Sequence, residues 1–373
     1  MSKEFFSRLS LPKLSLWEKK KSSRELFSFE LEVTARCNNN CPHCYINLPV
    51  SDQRAKRAEL SLKQIDQIAT QATSLGAVWC LITGGEPLLR KDFFDIYHCL
   101  KRKGLLVSVF TNATLITQRH VALFKEFPPR DIEVSVYGVT QETYEKITRR
   151  KGSFRAFMRG LNLLLESGVK VRLKAMALRS NVHELSAIAR FCRERTKDYF
   201  RFDPLLHLRF DGDKKRNTEI KSERLPPEKI VEIEQQDQER AQSLQKHCGT
   251  FINHEFEKYH CNHLFHCGSG NGSFYVTYDG YYKLCSSLSH PDCMYDLKKG
   301  TLRGAYEDFV PKVRDMRSTN AEFLRRCRRC SLVNLCLWCP AHAYLETGTL
   351  DVPVEYFCEV AHARAEAISG KKK

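Results

Sequence analysis

The residues best suited to chemistry are three cysteines in the run Cys37-Asn38-Asn39-Asn40-Cys41-Pro42-His43-Cys44-Tyr45. At spacings of four and three positions their thiolates can converge on one small inorganic centre, and the run follows a strand-like stretch, Phe29 to Thr34. Structural zinc takes four tetrahedral ligands, and an iron–sulfur cluster held by four cysteines is saturated. Three thiolates on such a cluster leave one iron open to another ligand. Zinc completed by His43 or a distant residue, or burial of the thiols as small hydrophobes, are the competing readings of the same triplet.

A second motif bears on that choice. The apolar run Ala77 to Ile82 leads into Thr83-Gly84-Gly85-Glu86-Pro87. Adjacent glycines let a backbone approach a ligand closely, and Glu86 offers an acceptor to a ligand ammonium. Together the two motifs resemble the radical S-adenosylmethionine (SAM) superfamily, whose signature is three cysteines at this spacing with an aromatic residue before the third, here His43. The resemblance implies a [4Fe-4S] cluster on Cys37, Cys41 and Cys44, its fourth iron chelated by the amine and carboxylate of SAM. It also implies that His43, Tyr45, Gly84, Gly85, Glu86 and Pro87 lie beside the cofactor.

These motifs need a scaffold, and strand and helix patterns alternate from Phe29 to about Asp211. The expected strands are 29–34, 77–82, 105–110, 132–137, 169–178 and 199–206. The first helix has a capping box, Ser61 with Gln64. Others span 92–103, start near Thr117, span 140–147, follow a Ser153 cap, and begin at Asn181-x-x-Glu184. Six βα units predict an α/β protein with a parallel sheet, and the resemblance makes it a partial (β/α)6 TIM-like barrel. In parallel α/β folds ligands sit beyond the carboxyl ends of the strands. The polar residues there are Thr111, Asn112, Ser135, Tyr137, Lys174, Met176, Asp203 and His207; by resemblance Ser135 suits the SAM ribose and Lys174 the SAM carboxylate.

Residues 1–28 read as a basic N-terminal extension, 29–223 as the barrel and 224–260 as a helical bridge. Residues 261–373 read as a cysteine-rich domain with a basic tail. The polar stretch 211–223 reads as an exposed loop, and Pro226-Pro227 as the opening of one charged helix to about Lys246. No apolar signal core opens the chain and no run approaches the roughly 18 residues of a membrane span, so a cytoplasmic protein with reduced thiols is expected. Sixty Lys and Arg against 44 Asp and Glu give +16 among 373 residues. That balance raises nucleic acid as a partner, but no recognisable RNA-binding module accompanies it, and basic residues beside negatively charged clusters or an acidic peptide account for it equally well.

Beyond residue 260 the cysteines become dense: Cys261, Cys267, Cys285, then Cys327-x2-Cys330-x5-Cys336-x2-Cys339, and Cys358. The segment Phe274 to Cys285 reads as a hairpin turning at Asp279-Gly280. Paired zinc sites and iron–sulfur clusters both use such spacings. The order of these residues is similar to the SPASM domain, a C-terminal extension of radical SAM enzymes that act on peptides and proteins. One departure is that two residues, in place of the more common three, separate Cys336 from Cys339. The resemblance implies one or two auxiliary [4Fe-4S] clusters, with Cys267, Cys285 and Cys339 in one, Cys261 as its candidate fourth ligand, and Cys327, Cys330, Cys336 and Cys358 in the other. Cys80, Cys99 and Cys192 fall inside element patterns and read as packing residues.

The function implied is reductive cleavage of SAM to a 5′-deoxyadenosyl radical that takes hydrogen from a peptide or protein, in maturation of a ribosomally made peptide by cross-linking, oxidation or epimerisation. The expected partners are the substrate peptide, a low-potential electron donor of flavodoxin or ferredoxin type, and a separate leader-peptide-binding protein, since no fused leader-binding domain fits into residues 1–28. The alternatives are a radical SAM enzyme for a small metabolite, cofactor precursor or RNA, and a non-catalytic zinc-binding interaction protein.

Overall fold

A computed structural model of the chain describes residues 25–197, 200–258 and 261–370. The expected basic extension lies, apart from its last few residues, outside them. Six strands, β1 (Ser28–Thr34), β2 (Trp79–Gly84), β3 (Leu106–Thr111), β4 (Asp131–Val136), β5 (Val171–Met176) and β6 (Arg201–Asp203), lie side by side in chain order. Every neighbouring pair among them is parallel. This is the α/β architecture expected from the six repeated units. Helices cross between the strands, and Val107, Val109, Ile132, Val134 and Val136 are wholly buried, as sheets covered by helices require.

Local signals place several helices. In Leu62–Ser74 the Gln64 amide donates to the Ser61 hydroxyl at 3.3 Å and the Ser61 amide to the Gln64 side chain at 2.9 Å, a complete capping box. Its Ile65, Ile68, Ala69 and Ala72 form the buried stripe. Alternation sets the faces of β5: Val171, Leu173 and Ala175 are buried in the core, whereas Arg172, Lys174 and Met176 point the other way.

The region after residue 260 continues the same sheet. Strand β7 (Ser273–Val276) runs parallel to β1, then β8 (Tyr281–Lys283) and β9 (Met294–Asp296) add antiparallel strands. The expected hairpin is present, with Gly280 at φ +93° in its turn. Phe29 of β1 stacks on Phe274 at 5.3 Å, and Phe274 on Tyr282 at 4.9 Å. The Tyr275 hydroxyl donates to the buried Glu32 carboxylate at 2.6 Å.

Four expectations are corrected. Residues 214–223 form a helix, Lys214–Glu223, capped by Asp213; a single buried apolar residue, Ile220, leaves no stripe to read. The charged helix is two, Pro227–Gln236 and Gln238–Lys246, because Asp237 turns out of the first and caps the second. Gly152, left-handed at φ +78°, precedes the helix Ser153–Glu166, and the Ser153 hydroxyl meets that of Thr148 instead of capping. Asn181 and Glu184 form no capping box. Asn181, fully buried, accepts from the Leu178 amide and donates to the carbonyls of Tyr137 and Met176, tying together the ends of β4 and β5. Glu184 accepts from Val139 and from the hydroxyls of Thr140 and Thr143. Among the described residues no helix is long and apolar enough to cross a membrane.

Candidate functional site

The three-cysteine loop leaves β1 and is closed at its neck by a short parallel pair, Arg36–Cys37 with Leu48–Pro49. Arg36 is locked to Glu59 at 2.7 Å with both side chains buried, and Asn40 donates its amide to Thr148. Cys41 is buried; Cys37 and Cys44 are half-buried. Burial, then the neighbouring Glu86, pushes the Cys37 thiol up to about 12, although the Asn39 amide (3.4 Å) and Asn112 Nδ2 (3.8 Å) donate to its sulfur. Burial and the other two thiols hold Cys41 above its ordinary range.

Gly84 and Gly85 end β2 against this loop. A Cβ on Gly84, whose φ is +144°, would meet the Thr34 carbonyl oxygen at 2.2 Å. One on Gly85 would meet that of Arg36 at 2.4 Å. The glycines therefore admit the backbone that carries Cys37, as well as lining the cavity below. Glu86 differs from its expected role as an acceptor for a ligand ammonium. Wholly buried, it accepts from the Leu88 amide (3.1 Å), the Thr111 hydroxyl (2.9 Å) and the Asn112 amide (2.7 Å), and burial raises its pKa to about 7. Glu86 and Pro87 are braces outside the cavity lining: Pro87 opens a 3₁₀ turn and Glu86 joins β2 to the end of β3.

A cavity of about 490 Å³ opens beyond the strand ends, within the roughly 300–1,000 Å³ of small-molecule sites. Cys37, Cys41, His43, Cys44, Tyr45, Gly84, Gly85, Ser135 and Lys174 all line it. So do Thr111, Asn112, Tyr137, Met176, Asp203 and His207 from the strand-end set. Lys174 pairs with Asp203 at 2.9 Å. Tyr45 exposes 37% of its surface, into this cavity, and its ring lies 4.6 Å from His207 and 4.7 Å from Phe210. Burial, aided by His342, lowers His207 to about 3, and its ring stacks on His342 at 5.1 Å.

Sequence reasoning missed Asn39, Glu133, Arg240, Leu337 and Arg364, which also line the cavity. Glu133 lies two residues before Ser135 and shares its face, so strand alternation was the signal that could have found it. Arg240 and Arg364 come from beyond the barrel and share the buried Glu234 at 2.6 and 2.7 Å; nothing local marks them.

The C-terminal cysteines divide. Cys327, Cys330, Cys336 and Cys358 cluster: burial pushes Cys327 up to about 12, and the thiols of Cys336, Cys330 and Cys358 add to the rise. Cys336 is likewise raised to about 12 by burial, with Cys358 and Cys330 contributing. Cys285 is raised by burial and by Cys339. Cys261 instead meets His263 Nδ1 at 2.7 Å, and Cys267 is exposed. Cys80, Cys99 and Cys192 are buried in the core. Among the described residues no three His, Cys, Asp or Glu side chains form a site for a single metal ion.

The donor set around Cys37, Cys41 and Cys44 fits a cluster with a small-molecule ligand. Both polar atoms of the Asn39 amide and Nδ1 of His43 are buried without a hydrogen-bond partner. Buried polar groups without partners are costly, and Asn39 and His43 both belong to the cavity wall.

Residues 31–192 match the family profile of the Radical SAM superfamily. The chain is 34% identical over 156 residues to Fe-coproporphyrin III synthase of Methanosarcina barkeri, covering 42% of this chain and 38% of that protein. It is 32% identical over 175 residues to a probable GTP 3′,8-cyclase of Methanothermobacter thermautotrophicus (46% and 55%). It is 30% identical over 164 residues to the antilisterial bacteriocin subtilosin biosynthesis protein AlbA of Bacillus subtilis (44% and 36%). The chain thus spans about half or less of the length of these curated relatives. Among solved structures, Streptococcus suis SuiB bound to precursor peptide SuiA superposes with a TM-score of 0.65 at 15% identity, over 90% of this chain and 76% of that one. The structure of anSMEcpe with bound AdoMet gives 0.62 at 14%, over 92% and 93%. At these identities the two structures share a fold with the chain.

Proposed function

We propose that the chain is a radical SAM protein with a SPASM-like C-terminal region, and that it matures a ribosomally synthesised peptide or protein by abstracting hydrogen from one of its carbons. The observation that carries this reading is the convergence of Cys37, Cys41 and Cys44 with Gly84, Gly85, Ser135 and Lys174 on one cavity. Cys37, Cys41 and Cys44 would hold a [4Fe-4S] cluster, which would supply one-electron reductive cleavage of SAM to methionine and a hydrogen-abstracting 5′-deoxyadenosyl radical.

The chain's own residues bind and shield. Gly84 and Gly85 leave backbone exposed along which the methionyl part of SAM lies, Ser135 meets its ribose, and Lys174, with two ammonium donors beyond the one on Asp203, meets its carboxylate. Asn39 and His43 offer their unpartnered atoms to the same ligands. Leu337 and Arg364 close the far wall, so the C-terminal region excludes water where the substrate carbon is presented. Cys327, Cys330, Cys336 and Cys358 would hold one auxiliary cluster, and Cys285, Cys339, Cys267 and Cys261 another; such groups would supply sites that accept or relay electrons. A flavodoxin- or ferredoxin-type donor in the cytoplasm and a separate leader-peptide-binding protein are the partners this reading implies.

The likeness in fold to a protein solved with its precursor peptide, and in sequence to AlbA, supports a peptide substrate. A second reading, a cofactor precursor or other small metabolite, draws on the synthase and cyclase relatives. The test is incubation of the reduced, reconstituted chain with SAM and candidate precursor peptides under nitrogen, with mass spectrometry of peptide and nucleoside. A modified peptide together with 5′-deoxyadenosine is expected. Undiminished 5′-deoxyadenosine after Cys37, Cys41 and Cys44 are changed to alanine would overturn the reading.

A further inference from the structure

The three-cysteine loop has little regular structure of its own between Cys37 and Leu48. Its carbonyls are met by two arginines from outside the matched 31–192 segment. Arg216, on the helix Lys214–Glu223, donates Nη2 to the Cys41 carbonyl at 2.8 Å and to Asn47 Oδ1 at 3.0 Å, and Nη1 to Asn40 Oδ1 at 3.0 Å. Arg209, only 2% exposed, donates Nη1 to the carbonyls of Cys44 and Asn47 at 3.2 Å each and to Asn47 Oδ1 at 3.0 Å. The Phe210 amide adds a bond to the Tyr45 carbonyl. The backbones of the second and third cysteines therefore both rest on guanidinium groups.

The two arginines differ in charge balance. Arg209 is matched one to one by Asp211 at 2.5 Å. Arg216 shares Glu219 with Arg149, at 2.9 and 3.0 Å, so that group of three carries one net positive charge. The Arg216 side chain is 15% exposed, and its Nε is buried with no hydrogen-bond partner. Water therefore screens little of a positive charge held against the carbonyl of a cluster cysteine. Net charge and hydrogen bonding around a cluster set its reduction potential, and a nearby cation favours the more negative, reduced form.

We infer that Arg216 is a positioning residue for the metal centre, its guanidinium holding the three-cysteine loop in register and the net positive charge it carries jointly with Arg149 and Glu219 raising the reduction potential of the cluster. The inference rests on the radical SAM reading above. It adds that the sixth βα unit, through this helix, adjusts how readily the centre accepts the electron that initiates turnover.

The experiment is a potentiometric titration of the full chain, reconstituted under nitrogen and followed by electron paramagnetic resonance, with the loop cluster picked out by its spectral response to SAM. Arg216→Gln is expected to shift the midpoint to a more negative potential and to speed loss of iron to a chelator. Arg216→Lys keeps the charge but loses the fork, so it should stay near the wild-type midpoint while still losing iron faster. Glu219→Gln leaves the arginine in place and removes the shared carboxylate, so its midpoint should move positive; this variant decides the matter if Arg216→Gln assembles no cluster. A wild-type midpoint in both Arg216→Gln and Glu219→Gln, or a negative shift in the latter, overturns the inference while leaving the cluster itself intact. Failure of the wild-type chain to show any SAM-responsive cluster would instead defeat the underlying reading, and the inference with it.

Discussion

Replacing Gly85 with alanine separates two reasons for a glycine pair at the end of β2. If the pair exists to admit a ligand, a methyl group there weakens SAM binding and leaves the ligand-free protein as stable as before. The geometry places the conflict elsewhere. A Cβ on Gly85 would stand 2.4 Å from the Arg36 oxygen and 2.5 Å from that of Ala35, both backbone, so at least 0.6 Å of separation (3.0 − 2.4) must be found by moving the chain just ahead of Cys37. That movement strains two hydrogen bonds, Gly85 amide to Thr34 carbonyl at 2.8 Å and Glu86 amide to Arg36 carbonyl at 2.9 Å. At about 1 kcal/mol for each bond, with about 1–3 kcal/mol for overpacking, the cost is roughly 3–5 kcal/mol. Gly104→Ala is the control: φ is +77° with nothing within 4 Å of the added atom, so only the left-handed backbone, about 1–2 kcal/mol, is at stake. Urea unfolding of both variants without ligand, paired with iron content after reconstitution, makes the comparison. A Gly85→Ala loss no larger than that of Gly104→Ala would refute the reasoning.

Three further outcomes follow from particular contacts. Burial raises Glu86 to about 7 from an ordinary 4.5, so the folded state holds this proton where the unfolded chain has released it. Stability therefore falls as pH rises from about 4.5 to 7, by about 3 kcal/mol at 1.36 kcal/mol per pKa unit. Glu86→Gln, less stable at low pH because its amide faces the Asn112 N–H, should lack that part of the slope in urea titrations at pH 5 and 8; an unchanged slope would contradict the assignment. Asn181→Ala strips partners from the Leu178 amide and the Tyr137 and Met176 carbonyls, an expected loss of about 3 kcal/mol at about 1 kcal/mol per bond, and a loss under 1 kcal/mol would show the tie between β4 and β5 to be dispensable. Cys336→Ala should lower iron per chain after reconstitution while Cys192→Ala, in the core, leaves it unchanged; equal iron in both would remove the auxiliary cluster from Cys336.

What could be read in advance follows the range of the interaction that decides each feature. Ser61 and Gln64 satisfy each other within one turn, so two letters three positions apart suffice to mark that helix start. Asn181 and Glu184 show equally suitable letters, but tertiary partners outcompete the cap: the strand-end carbonyls for Asn181, Thr140 and Thr143 for Glu184. The helix Lys214–Glu223 offers no apolar period, and among its strongest anchors are bonds from Arg216 to residues some 170 positions earlier, which no local pattern can register. The site divides along the same line. Cys37, Cys41 and Cys44 lie within eight residues and announce themselves by spacing, and the strand-end rule delivers Ser135 and Lys174 to the same cavity. The far wall comes from Arg240, Leu337 and Arg364, brought in by the continuation of the sheet through β7 and by two arginines converging on Glu234. The wall that carries the cysteines is thus set by short-range pattern, whereas the far wall is set by long-range packing, and for that reason the first is legible in the chain and the second is not.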